Sequence, residues 1–495
     1  MKIQQITADS RQVSPGTLFV ACRGGTTDGH KFIPNAVASG ASAVLGELEI
    51  NALDIPYIRV ANSRMALAHL AAAFYQHPAH QMTMIGVTGT DGKTTTSNLI
   101  YQILLAGGYK AGMISTVNAI IGTNIVDTGF HVTTPDAPDV QRYLATMVEA
   151  ESTHAVLETT SHGWAQHRVD ACEFDLGVLT NITHEHLDHH GTFDNYRAAK
   201  ARLFESLSET GKKDRGNIRM AVLNHDDSSF DYIKSICRCE TISYGMAAGA
   251  DVRAIDIILN ERNITFTTLI PGYMPVFITS DLVGAFNVSN CLAAITASVI
   301  GLGIDAQICS EGITALKGVP GRMERIEMGQ EFTAIIDFAH TPNALKVALQ
   351  AARKLAKGRV IAIFGSAGLR DKEKRRLMAE ISLESADLTI LTAEDPRTEP
   401  LDGILEDMAK GAFSRNGIEG RDFWRIPDRG AAIRFGLLKA QPGDVVIACG
   451  KGHEQSMCFG TTEYAWDDRI AMRAALAEML QVEGPPMPFL PTDDD

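Results

Sequence analysis

No run of 18 apolar residues occurs in this 495-residue sequence, so no membrane-spanning helix is expected. The opening Met1-Lys-Ile-Gln-Gln-Ile-Thr7 lacks the basic-then-apolar pattern of a leader, and no signal peptide is expected either. Positive charge is also short. The formal net charge of −14 argues against a nucleic-acid or anionic-membrane surface, but it leaves room for a locally positive site that takes a small anion. The eight cysteines follow no framework spacing, which fits a reducing compartment and a cytoplasmic location. Cys237 and Cys239 form a Cys-x-Cys, but no second pair or nearby His completes a zinc site, so they read as ordinary thiols. Short repeats and low-complexity segments are missing as well.

What is present is a globular composition, 45% hydrophobic, in which short apolar runs alternate with amphipathic helical stretches from end to end. That alternation predicts α/β domains with largely parallel sheets. At ~100–200 residues per domain the length suggests three. One break follows the Ala-rich helix ending near Tyr75, where Gln76-His-Pro-Ala-His-Gln81 reads as a linker. A second lies near Lys317-Gly-Val-Pro-Gly321, where Gly and Pro punctuate the chain. The expected domains are residues 1–80, 81–318 and 319–495. The tail from Gly484, Pro-rich and then acidic through Asp495, is expected to be disordered and without function.

Met84-Ile-Gly-Val-Thr-Gly-Thr-Asp-Gly-Lys-Thr-Thr-Thr96 carries the strongest chemical signal. An apolar strand runs into a Gly-rich turn, and Lys93 and Thr94 open an amphipathic helix. Backbone N–H groups of such a turn surround phosphate oxygens, helped by the helix N-terminus. Lys93 adds a point charge and Thr94 a hydroxyl for Mg²⁺. The match to Gly-x-x-x-x-Gly-Lys-Thr is imperfect, because Val87 holds the first Gly position and Gly86 sits one residue early. In the last region, apolar runs Thr333–Phe338, Arg359–Phe364, Leu388–Thr392 and Asp444–Cys449 are each followed by polar residues: His340, Arg370, Asp395 with Arg397, and His453 with Glu454. Ligands of open α/β sheets bind beyond the carboxyl ends of the strands, so these four clusters predict one pocket.

The variant Gly-Thr-x-Gly-Lys-Thr-Thr resembles the Mur ligase family, and other segments resemble its MurE branch. They are Asp9-Ser-Arg-Gln-Val-Ser-Pro-Gly-Thr-Leu-Phe-Val-Ala21, Asp28-Gly-His-Lys-Phe-Ile33, Glu158-Thr-Thr-Ser-His-Gly-Trp-Ala-Gln-His-Arg-Val169, Thr180-Asn-Ile-Thr-His-Glu-His-Leu-Asp-His-His-Gly191 and Tyr196-Arg-Ala-Ala-Lys-Ala-Arg-Leu-Phe204. Further on come Gly284-Ala-Phe-Asn-Val-Ser-Asn290, Pro320-Gly-Arg-Met-Glu324, Asp337-Phe-Ala-His-Thr-Pro342 and Gly450-Lys-Gly-His-Glu454. They span nearly the whole chain in the family's order.

The resemblance implies a uridine-nucleotide domain, a central ATPase-like domain and a Rossmann-like third domain. It also implies a ligase that adds a diamino acid to a UDP-N-acetylmuramoyl dipeptide through an acyl phosphate, with ATP as co-substrate and Mg²⁺ as cofactor, in peptidoglycan synthesis. A monomer is expected, with no nucleic acid partner and no membrane insertion. Residue by residue, ATP falls to Gly89, Thr90, Asp91, Gly92, Lys93, Thr94, Thr95, Asn290, Arg322 and His340. The metal falls to Thr94, Glu158, His186 and Lys200, the last as a carbamate, because an ammonium beside Mg²⁺ is repelled. Lys93, Lys200, Glu158 and His186 form the catalytic set. The uridine substrate falls to Ser10, Gly25, Thr26, Thr27, Thr133, Thr134, Thr160, Gln166 and Arg168. The amino acid falls to Arg370, Glu394, Asp395, Arg397, Gly450 and Glu454.

Departures from the family pattern bear on the last group. Glu185 stands where Asp is common, Phe338 where Tyr is, and Asn343 where Asp is. The selectivity segment is Glu394-Asp-Pro-Arg397, whereas diaminopimelate enzymes read Asp-Asn-Pro-Arg. Arg370 and Arg397 favour meso-diaminopimelate, whose far end carries a carboxylate. Asp395 favours an ammonium, and if it pairs with Arg397 the pocket becomes one for L-lysine or L-ornithine. A different reaction class is carried by His184-Glu-His-Leu-Asp-His189, which satisfies the His-x-His-x-Asp-His of di-zinc hydrolases. The Asn-x-x-x-x-His-Leu-Asp context favours the ligase reading.

Overall fold

The computed structural model describes residues 2–24, 27–50, 53–126, 134–183, 190–260 and 262–492. It divides into two compact units, residues 1–254 with 268–276 and 289–313, and residues 255–267 with 277–288 and 314–495.

The first unit opens with a parallel sheet in the order β1 (Gln5–Thr7), β2 (Thr17–Val20), β3 (Ala43–Gly46), β4 (Tyr57–Arg59). β2 and β3 are buried along their whole length, the pattern of strands covered on both faces. The helix Ser63–Phe74 closes this layer. Its Ala68 and Ala72 meet Ala137 and Ala171 of the following layer, where small side chains permit close approach. Asn62 Nδ2 also lies 3.0 Å from His167 Nε2.

The second sheet of this unit runs β12 (Glu240–Gly245), β11 (Met220–Asn224), β10 (Leu176–Leu179), β5 (Thr83–Thr88), β9 (His154–Glu158), β6 (Ala111–Ile114), β7 (Ala119–Ile121), β8 (Asn124–Val126). It is parallel from β12 to β6, and β7 and β8 turn back antiparallel at the edge. β5 is central and buried throughout, because Met84, Ile85 and Val87 face covering layers on both sides. Gly86 lies inside this strand. A Cβ there would stand 2.6 Å from Leu203 and 3.0 Å from Phe174, so that glycine serves core packing and not the turn. Trp164 is a core aromatic, 2% exposed beside Phe174. The strands β13 (Val252–Leu259), β14 (Ile264–Leu269) and β15 (Val276–Ser280) follow, with Tyr244 of β12 opposite Val252.

The second unit holds a six-stranded sheet, β16 (Glu324–Ile326), β17 (Thr333–Asp337), β21 (Val445–Cys449), β18 (Val360–Phe364), β19 (Leu388–Leu391), β20 (Phe423–Arg425), parallel except at β16. A hairpin of β22 (Ser456–Phe459) and β23 (Thr462–Ala465) follows β21. Apolar clusters cover both faces of the larger sheet.

The tail does not match its expected disorder. Leu490 is 3% exposed within one of those clusters and Met487 packs at its margin. Thr492 Oγ1 donates to Asp428 Oδ2 at 2.6 Å. The Pro-rich composition hid one leucine that finds an apolar seat on the sheet's helical layer. Leu490→Ala is expected to destabilise this unit by about 2 kcal/mol or more, the cost of a buried leucine's lost burial plus a cavity. A urea titration read on this unit's unfolding checks it.

Candidate active site

The Gly-rich turn leaves β5 at Thr88 and enters the helix Lys93–Ala106. Gly89 has φ +154° and Gly92 φ +81°, conformations that side chains resist. The turn is braced from the neighbouring strand. Thr90 N donates to Asn181 O (2.7 Å), Asp91 N to Asn181 Oδ1 (2.9 Å), and Thr180 Oγ1 to Asp91 O (2.6 Å). Lys93 Nζ donates to Thr90 O at 2.7 Å, so its ammonium folds back over the turn. Thr95 is buried. Asn290 lies against Gly92, its Oδ1 2.3 Å from where a Cβ would stand, and accepts from Thr96 Oγ1 at 3.4 Å.

Glu158 ends β9, in register with Val87 of β5, and this pairing brings its carboxylate to the turn. It is 2% exposed. It accepts from Thr94 Oγ1 at 3.0 and 3.1 Å, from Thr116 N at 3.0 Å and from Thr116 Oγ1 at 2.8 Å. A buried carboxylate held on a helix-opening hydroxyl suits a hard cation with oxygen ligands, as Mg²⁺ requires. Lys200, also 2% exposed, comes from the helix Phe193–Glu209. Its Nζ donates to Gly89 O at 2.5 Å and lies 4.6 Å from the Tyr196 ring centre. Tyr196 OH in turn meets Thr90 Oγ1 at 2.9 Å. His186 and the His184–His189 run lie outside the described residues, as do Gly25, Thr26 and Thr133.

Next to this cluster, Thr134 Oγ1 meets Thr160 Oγ1 at 3.2 Å, and Thr160 caps the short helix Ser161–Ala165 through Gly163 N. Arg168 donates to Thr134 O (2.6 Å) and to Gln166 Oε1 (2.8 and 3.2 Å), and lies 3.1 Å from Asp136. Burial lowers the pKa of this guanidinium. Thr134 therefore joins Thr160, Gln166 and Arg168, which follow it by 26 residues or more, in one network. Ser10 and Thr27 stand beyond the carboxyl ends of β1 and β2, Ser10 in the turn of 3₁₀ helix Ser10–Gln12.

In the second unit, Arg322 stacks on Phe338 with its guanidinium 4.5 Å from the ring centre. His340 and His453 flank the same ring at 4.6 and 4.9 Å. Beyond β19, Asp395 (φ +42°) accepts from Lys451 Nζ at 3.0 and 3.1 Å and from Cys458 N at 2.9 Å. Lys451 also pairs with Glu454 at 2.6 Å. Against the downward pull of burial, Glu454 and Asp395 hold the Lys451 ammonium above its ordinary pKa. Asp395 thus pairs with Lys451 and not with Arg397. Among the described residues, the guanidiniums of Arg397 and Arg370 have no hydrogen-bond or ion-pair partner. Glu394 is buried, its Oε2 lacks a hydrogen-bond partner, and burial pushes its pKa up. Gly450 (φ +111°) passes so close that a Cβ would stand 2.1 Å from that oxygen.

Sequence reasoning missed Thr116, Asn181 and Lys451. Asn181 and Lys451 lie inside quoted motifs, whereas no motif marks Thr116, which reaches Glu158 only because β6 pairs with β9.

Compared with known proteins, the chain matches the Mur ligase family, catalytic domain, over residues 2–75. It matches the Mur ligase middle domain over 87–298, and the Mur ligase, glutamate ligase domain, over 321–452. It is 43% identical over 489 residues to a UDP-N-acetylmuramyl-tripeptide synthetase of Roseiflexus sp. (strain RS-1), covering 97% of this chain and 95% of the relative. It is 40% identical over 476 residues to a UDP-N-acetylmuramoyl-L-alanyl-D-glutamate--2,6-diaminopimelate ligase of Geobacillus kaustophilus, covering 96% and 95%. A solved structure of a protein of that same ligase name superposes with TM-score 0.66 at 31% identity, covering 97% and 95%. The ligase MurF of Thermotoga maritima, solved with ADP, shares the fold at TM-score 0.60 and 21% identity, covering 90% and 93%.

Proposed function

The chain belongs to the Mur ligase family, and from that premise we propose that it joins meso-diaminopimelate to UDP-N-acetylmuramoyl-L-alanyl-D-glutamate. It is an ATP-dependent amide-forming ligase. Residues 1–80 take the uridine end of the substrate, 81–318 bind ATP and carry the chemistry, and 319–495 take the incoming amino acid. An ATP-consuming step on a nucleotide-linked precursor fits the cytoplasm.

The substrate's D-glutamate carboxylate attacks the γ-phosphate of ATP to give an acyl phosphate and ADP. The amine then attacks the acyl carbon and phosphate leaves. The protein's part is positioning and charge neutralisation. Gly89–Thr95 surround the phosphates with backbone N–H groups, and Lys93 supplies a cation to them. The family resemblance also assigns Asn290, Arg322 and His340 to ATP. Magnesium, when bound, neutralises phosphate charge, with Thr94, Glu158, His186 and the carbamate of Lys200 as the residues that would hold it. Arg168, oriented by Gln166, faces the dipeptide carboxylates with Thr133, Thr134 and Thr160. Ser10, Gly25, Thr26 and Thr27 take the uridine end. Membership of this family leaves no ground for the di-zinc alternative.

One observation carries the choice of amino acid. Asp395 is engaged by Lys451, which leaves Arg397 and Arg370 as two cations without anions among the described residues. All candidate amino acids share an α-amine and α-carboxylate, so the far end decides. Lysine and ornithine would forgo the charge-assisted bonds that a second carboxylate makes to half-buried Arg397 and exposed Arg370, a difference of about 1.5–3 kcal/mol or roughly 10- to 150-fold. The expected result is a kcat/KM for meso-diaminopimelate at least about tenfold above those for L-lysine and L-ornithine, read by phosphate release. A tenfold preference the other way would replace the amino acid while leaving the ligase intact.

A further inference from the structure

Two guanidiniums act together on one carboxylate only when they are held at a fixed spacing. Arg397 is fixed by its own backbone: its N–H donates to Cys458 O at 3.0 Å and its carbonyl accepts from Gly460 N at 2.8 Å, both on the β22–β23 hairpin. Among the described residues, no such backbone bonds support Arg370. It lies on an exposed loop whose preceding residue, Leu369, is 63% exposed and therefore contributes no apolar anchor. Leu369 also sits at φ +58°, a conformation that needs outside help to persist.

That help comes from Glu399. Its Oε2 accepts from Leu369 N at 2.9 Å, while Arg375 grips both carboxylate oxygens at 2.8 and 2.7 Å. Glu399 stands two residues beyond Arg397 and follows the same turn, its N–H donating to Pro396 O at 3.1 Å. Gly368 N donates to Asp395 O at 2.9 Å, and a Cβ on Gly368 would stand 1.9 Å from Pro396 O, so the two segments run edge to edge. Arg375 is fully buried on the helix Glu373–Ser385, with Asp407 3.2 Å from its Nη1 and no acceptor for its Nε. Buried Arg375 requires an anion, and Glu399 meets that need while its Oε2 also holds Leu369 N, so the pair imposes a geometry on the Arg370 loop.

We propose that the Arg375–Glu399 pair is a positioning device that ties the Arg370 loop to the Arg397 segment and thereby sets the preference for an amino acid with a second carboxylate. The inference rests on the diaminopimelate reading above. Glu399 stays ionised across the working range: bonds from Arg375 and from the Leu369 N–H hold its pKa down at about 2. The tie is therefore insensitive to pH near neutrality.

Glu399→Gln is expected to raise the KM for meso-diaminopimelate by about 10- to 100-fold, the scale of a displaced binding group. The kcat and the KM values for ATP and the UDP-dipeptide should not move, nor should the kcat/KM for L-lysine, so the preference between the two amino acids shrinks. Asp407→Asn is the control. It removes the other acceptor of Arg375 without touching Leu369, and should leave the diaminopimelate KM alone. An unchanged KM in Glu399→Gln, an equal loss for both amino acids, or an equal rise in Asp407→Asn would each overturn the proposal. Should Glu399→Gln fail to fold by circular dichroism, Glu399→Asp keeps the charge on a side chain too short for both partners. A raised diaminopimelate KM in that variant supports the tie, and a wild-type value overturns it. A wild type that itself prefers lysine would overturn the reading of the acceptor. The pair would then be judged by whether Glu399→Gln raises the KM of the preferred amino acid alone.

Discussion

Replacing Lys93 by alanine is expected to cut turnover by about 10³–10⁵-fold, the scale on which a single cation acts at a transferring phosphoryl group. Nothing else on the turn offers positive charge: residues 89–92 are Gly, Thr, Asp and Gly, and Asp91 is anionic. The Lys93 ammonium donates to the turn's own Thr90 carbonyl, so it is aimed across the cradle. Losing it should not cost the fold much, since the side chain is half-buried at the start of a helix whose Thr94, Thr95 and Thr96 remain buried. ADP formation in a single turnover, with the variant's thermal melt alongside, separates the two effects. A folded Lys93→Ala enzyme within tenfold of wild type would remove the phosphate-loop argument.

The second large effect concerns Lys200. Lys200→Ala is expected to lose about 10²–10³-fold in kcat, comparable with removing a preorganised charge-stabilising group. Acetate or formate should restore part of it by supplying the oxygens that a carbamate would. The hydrogen bond from Nζ to Gly89 O suits either state, because a carbamate keeps one N–H on that nitrogen while adding two oxygens beyond it. As a bare ammonium, the same group would place a buried cation at the edge of a metal site, which electrostatics disfavours. Activity unmoved by the substitution would defeat this role. A loss that no small carboxylate relieves, together with a bare ammonium at Lys200 in an ATP–magnesium crystal structure, would defeat the carbamate.

What could be read in the sequence was what local pattern or motif carries. Met84–Thr88 and the helix from Lys93 were legible because a short apolar run and a helical period flank a Gly-rich turn. The four polar clusters after β17, β18, β19 and β21 were legible for the same reason. Contacts made across the sheets were not. Thr116 reaches Glu158 through strand pairing, and no spacing in the chain announces it. The partner of Asp395 was open between Arg397, two residues away, and anything folded nearby. It proved to be Lys451, which the β19–β18–β21 order brings to the same end of the sheet. Leu490 was misread because composition averages over a tail, whereas burial depends on single side chains.

The Gly89–Gly92 turn has a consequence for how this protein changes over generations. A side chain at Gly89 would meet Thr180 Oγ1 at 1.8 Å, and one at Gly92 would meet Asn290 Oδ1 at 2.3 Å. Trimming Thr180 to make room would release the Asp91 carbonyl that it holds at 2.6 Å, so the compensating change breaks what it is meant to preserve. A side chain at either glycine therefore displaces a residue that braces the turn. An inhibitor that contacts only the main chain of residues 89–92 would grip atoms that substitution of these two glycines cannot alter without disturbing the phosphate cradle itself.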